Sequence, residues 1–66
     1  MELTTKEAVQ VLLDSGMSKY RLAKNLGLSP TSINQYLKGT KMSEATAKVV
    51  KAEYNITVID YFKWSQ

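Results

Sequence analysis

A chain of 66 residues, 44% of them hydrophobic, is expected to form one domain, 1–66, with a thin stability margin, since folding at this length hides only about 60% of the unfolded surface. It contains neither cysteine nor histidine, which excludes disulfides, the usual zinc-ligand sets and every nucleophile scheme built on those side chains, and points to a reducing, cytoplasmic setting. The net charge of +3 is unevenly spread: the segment from Ser15 to Ser43 holds Lys19, Arg21, Lys24, Lys38 and Lys41 and no acid, while the residues before it sum to −2 and those after it to zero.

The opening Met-Glu-Leu-Thr-Thr-Lys-Glu lacks the basic start and apolar core of a signal peptide. No apolar run nears the roughly 20 residues of a membrane span, so no membrane association is expected. Thr4 with Glu7 three residues on reads as a capping box, and Ala8, Val9, Val11, Leu12 and Leu13 supply the apolar stripe of a first helix that Gly16 ends. Ser18 caps a second helix carrying Leu22, Ala23 and Leu26 on one face and stopped by Gly27. Ser29-Pro30 is the sharpest local signal, an N-cap serine worth about 1 kcal/mol over alanine followed by proline at the first helical position. Ile33, Tyr36 and Leu37 form the inner face of this third helix, and Gly39 closes it. A fourth helix runs from Ser43 to Asn55, with Glu44 near its positive end and Ala45, Val49 and Ala52 along one side. In the tail, Ile56, Val58 and Ile59 have strand-like composition, but Thr57 with Asp60 makes a second capping box and Ile56 with Tyr61 a hydrophobic staple, which favours a short fifth helix.

Two helices joined by a tight turn cross closely only if the inner one has a small residue at the crossing and the turn has a residue free to take positive φ. Ala23 and Gly27 fill those places, and Leu22, Leu26, Leu28, Ile33 and Tyr36 stand where they seal the angle. The stretch from Lys19 to Leu37, with "LAxxLGLSxxxIxxY", resembles the helix-turn-helix unit of the phage Cro and CI repressors and their bacterial relatives, most closely the small Cro proteins. The resemblance implies an all-α, lambda-repressor-like bundle of about five short helices around a central helix-turn-helix. It also implies that the helix from Pro30 to Lys38 enters the major groove while the helix before it lies across the backbone.

The residue chemistry suits that role. Thr31, Ser32, Asn34, Gln35 and Lys38 lie opposite the inner face of the third helix and are expected to contact bases, with Thr31, Asn34 and Gln35 foremost, because amides pair bidentately with adenine and threonine meets a thymine methyl. Pro30 departs from the polar residue that family members often carry there and offers no donor. Lys19, Tyr20 and Lys41 are expected to hold phosphates, while Arg21 and Lys24 are left to the general field. Taken singly, Asn34 or Gln35 is a solvated side chain on a short surface helix and the charge run an ordinary solvated face. The motif, the acid-free stretch and the amide-rich face select DNA together because they fall on one helix.

Val58, Ile59, Phe62 and Trp64 crowd the tail and suggest the interface of a weak homodimer that forms on operator DNA. The competing reading has Val58, Tyr61 and Phe62 closing the core. The resemblance implies a phage- or prophage-encoded repressor in a bacterial cytoplasm, without metal or cofactor. The alternative is an antitoxin-like or other protein-interaction module using the aromatic tail. An enzyme is not expected, since the six acids are scattered through the two ends of the chain.

Overall fold

A computed structural model describes residues 1–63. In chain order they form β1 (Glu2–Leu3), α1 (Thr5–Asp14), α2 (Lys19–Leu26), α3 (Pro30–Leu37), α4 (Glu44–Tyr54) and β2 (Thr57–Val58). The class is all-α, with four helices among the described residues rather than about five.

The caps explain most boundaries. Thr4 and Glu7 close the reciprocal box: Thr4 Oγ1 accepts from the Glu7 amide at 3.2 Å, and Glu7 Oε1 accepts from the Thr4 amide at 3.0 Å. Ser18 accepts from the Arg21 amide at 3.1 Å and Ser43 from the Thr46 amide at 3.4 Å. Asn55 ends α4 in the left-handed region at φ 57, its side chain accepting from Lys51 Nζ at 3.2 Å. Ser29 is the exception, for it occupies the N-cap position of α3 without making a side-chain cap bond. Proline at N1 presets the backbone there, and the serine side chain adds no capping bond.

Inside, Ala8, Val9 and Leu12 of α1, Leu22, Ala23 and Leu26 of α2, and Ile33 and Tyr36 of α3 form one buried cluster with Met42, Ala47, Val50, Ile56 and Val58. The face of α4 differs from the one read in the sequence. Thr46, Ala47 and Val50 point inward, whereas Ala45 and Ala52 are exposed and Val49 is half-buried. Alanine tolerates either environment, so a stripe drawn through Ala45 and Ala52 carried little information about which side faces the core.

The tail is the main correction. Instead of a fifth helix, Thr57 and Val58 pair in parallel with Glu2 and Leu3, and the Thr57 and Ile59 amides donate to the carbonyls of Met1 and Leu3 at 2.8 and 2.9 Å. Asp60 does not close a box with Thr57. Its Oδ1 accepts from both the amide and the hydroxyl of Thr5, each at 2.7 Å, at the start of α1. The strand satisfies backbone groups that a helix would have satisfied locally, and it carries Val58 into the core while Ile56 seals the end of α4.

Candidate nucleic-acid interface

The α2–α3 unit is set by its turn. Gly27 lies at φ 72, its amide donates to the Lys24 carbonyl at 3.1 Å, and the Leu28 amide reaches back to the Ala23 carbonyl at 2.8 Å. This is a Schellman closure, in which a left-handed residue spends the last free carbonyls of the helix and turns the chain sharply. Ala23 is buried at the crossing, beside Leu22 and Ile33, so α2 and α3 approach without a large side chain between them. A bond from Asn25 Nδ2 to the Tyr54 hydroxyl at 2.9 Å ties α2 to α4, and that hydroxyl lies 3.7 Å from Met17 Sδ.

With Ile33 and Tyr36 buried and Leu37 half-buried, α3 and its C-cap turn Thr31, Asn34, Gln35 and, at the cap itself, Lys38 to solvent. These four are spaced i, i+3, i+4, i+7 and so form one continuous strip. Ser32 and Pro30 are half-buried at its edges. Burial pushes the Tyr36 phenol above its ordinary value, against the opposite pull of a hydrogen bond with Thr46, which marks it as a core group.

Exposed cations precede and follow the strip in the chain. Lys19 and Tyr20 stand exposed in the first turn of α2, Tyr20 at 78%, and Lys41 is exposed in the loop after α3. Tyr20, Arg21 and Lys24 line one shallow depression with Ser18 and Asn25, so Arg21 and Lys24 stand beside the proposed phosphate contact at Tyr20. Among the described residues the one ion pair is Lys63 to Glu44, at 4.0 Å. The five cations between Ser15 and Ser43 therefore keep their charge unpaired by any carboxylate described, which suits a polyanion surface.

A second depression flanks α3, lined among others by Ser32, Gln35, Thr40, Lys41 and Phe62. It puts Lys41 next to the α3 strip, and it brings Phe62 from the far end of the chain to the same surface. Thr40 and the neighbourhood of Phe62 were not foreseen from the sequence. No local signal exists for a contact made by residues more than twenty positions apart.

The proposed partner surface divides. Val58 is 2% exposed and belongs to the core, Ile59 is 59% exposed and Phe62 40%, and Trp64 lies outside the described residues. Among the described residues no group of three or more His, Cys, Asp or Glu is placed to hold a metal ion, and no helix is long and apolar enough to cross a membrane.

Comparison with known proteins agrees with this geometry. Residues 10–57, most of the chain and all of α2–turn–α3, match the model of the helix-turn-helix family HTH_3. No curated protein and no solved structure gives a significant match. By this match over most of its length, the chain belongs to the Cro/C1-type helix-turn-helix family of DNA-binding transcription regulators.

Proposed function

We propose that the protein is a sequence-specific transcriptional repressor, similar to the small Cro proteins of phages, which occupies operator DNA and excludes polymerase. The observation that carries this reading is the exposed strip of Thr31, Asn34, Gln35 and Lys38, free of carboxylates, with exposed Lys19 and Tyr20 before it in the chain and Lys41 beside it in the loop that follows. In the docking geometry of the family, α3 lies in the major groove and its first turns face base edges, while α2 crosses the backbone. Asn34 and Gln35 pair with adenine through amide oxygen and nitrogen together, Thr31 meets a thymine methyl and Lys38 a guanine edge or a phosphate. Half-buried Ser32 contributes at the margin. Lys19, Tyr20 and Lys41 fix register on phosphates, with Arg21 and Lys24 adding to the same field.

An eight-residue helix is about 12 Å long and spans roughly four base pairs, so one copy reads half a site. A second copy bound one helical turn away supplies the other half, and the exposed Ile59 and Phe62 suit a weak contact between the two that forms on DNA. The test is selection from a random duplex pool, followed by titration of the winner and a scrambled duplex at several salt concentrations. Enrichment of a palindrome with half-sites about one turn apart and a preference of about a thousandfold supports the proposal. Binding without sequence preference, or none, overturns it and makes the tail the surface to probe for a protein partner.

A further inference from the structure

We infer that the C-terminal tail acts on DNA binding through the loop after α3, with Asp60 and Thr5 as positioning residues for the phosphate contact of Lys41. The inference rests on the DNA-binding reading above and assigns to that site two residues that lie outside the helix-turn-helix unit. Lys41 stands between two backbone anchors. On one side the Thr40 amide donates to the Gln35 carbonyl at 3.0 Å, closing the end of α3. On the other side Met42 is held by its side chain, 1% exposed in the core, and by both of its backbone groups. Its amide donates to Thr5 Oγ1 at 3.2 Å, and its carbonyl accepts from the Phe62 amide at 3.0 Å.

Neither of these partners belongs to the loop or to the helices beside it. Thr5 is 1% exposed, and its hydroxyl has one proton, which it gives to Asp60 Oδ1 at 2.7 Å; its lone pair is thereby turned to the Met42 amide. The same carboxylate oxygen takes the Thr5 amide at 2.7 Å, so the Asp60 side chain fixes Thr5 by two bonds and, through Thr5, the backbone beneath Lys41. Two residues on, the Phe62 carbonyl accepts from the Glu44 amide at 2.8 Å and seats the start of α4. Residues 57–62 thus form a clasp across the first turn of α1, the loop and the first turn of α4. Lysine is a flexible side chain, and a fixed Cα beside the groove lowers the cost of holding its ammonium on one phosphate. Lys19, in α2, is outside the clasp.

The experiment titrates the selected duplex against salt with the wild type and with K41A, T5V, D60A, D60N, K19A and the doubles T5V/K41A and T5V/K19A, each well below its own unfolding midpoint. T5V keeps volume and the Thr5 amide bond but removes the hydroxyl link to Met42. Expected results are a salt slope shallower by about 0.9 in K41A, T5V and D60A alike, and wild-type behaviour in D60N, whose amide oxygen can accept both bonds. T5V should add nothing to K41A, to within about twofold, while its loss multiplies with that of K19A. If D60A fails to fold, T5V and D60N decide. A folded T5V with wild-type slope, or with losses that multiply with those of K41A, overturns the inference while leaving DNA binding intact. A wild type that binds no duplex overturns both readings.

Discussion

Asn34 and Gln35 owe their availability to their neighbours in the chain: Ile33 and Tyr36 are buried, and the helix period then leaves the amides outward. Replacing either by alanine is expected to weaken operator binding by about 1–3 kcal/mol and to relax preference at one base pair, with non-specific binding and folding unchanged. Selection repeated with each variant checks this. Lys19→Ala should instead weaken binding to all sequences about equally and make the salt slope shallower by about one. Tyr36 makes a different prediction. Its phenol is raised above the ordinary tyrosine value of 10.0, so the unfolded chain loses this proton at a lower pH than the folded one. The contribution is fully present below that ordinary value and is lost as pH climbs from it towards the raised one. Denaturant titrations across the alkaline range should show a steeper fall for the wild type than for Tyr36→Phe. Asp60 shows where residue-level reading stopped: a carboxylate three places after a threonine looks like a local cap, yet its partner is Thr5, 55 positions away. Composition holds no trace of that distance.

The helices begin and end mostly where their punctuation says. Thr4, Ser18 and Ser43 cap, and Gly16, Gly27, Gly39 and Asn55 take positive φ. Ser29 has the right identity at the right place and makes no cap bond, so Ser18→Ala should cost about 1 kcal/mol and Ser29→Ala less than about 0.5 kcal/mol. For a domain of this size the first amounts to roughly 4–8 °C of melting temperature, within reach of thermal denaturation. Gly27→Ala should cost about 1–2 kcal/mol, for a backbone reason alone: a Cβ there meets nothing within 4 Å, but φ 72 is a left-handed value that alanine resists. The face of α4 was not legible, because Val49 and Val50 are neighbours and alanines lie all around them. Packing against Ile56 and Val58 decided for Val50.

Across the described residues, the start of the chain meets residues 57–60. The pairing of Glu2–Leu3 with Thr57–Val58 and the bridge between Ser43 and Phe62 place a tail of apolar residues partly in the core and partly on the surface. Val58→Ala is expected to cost about 2–3 kcal/mol of folding stability, the lost burial plus a cavity, while Ile59→Ala should stay within about 0.5 kcal/mol. Ile59→Ala should nevertheless reduce the cooperativity of binding to a full palindrome, leaving half-site affinity unchanged, if the two copies touch there. Thermal melts and duplex titrations of the two variants separate core from partner surface. The same arrangement explains the charge pattern: the acids of both chain ends lie outside the α2–α3 unit, so the acid-free middle third stays electrostatically positive.

The sequence by itself determined the helix-turn-helix, because that unit is built from short-range relations: caps, a turn glycine, a small crossing residue and a 3.6-residue period, all within about twenty positions. It likewise determined which residues of α3 face outward, since burying Ile33 and Tyr36 settles the rest of the helix. Only the tertiary structure decided the tail. Thr57 and Val58 carry local signals for a helix and composition for a strand, and the outcome depended on open backbone groups at Met1 and Leu3, an unspent amide at Thr5 and space in the core for Val58. Those are properties of residues more than fifty positions away and of the packed core, which no local signal in the tail reports.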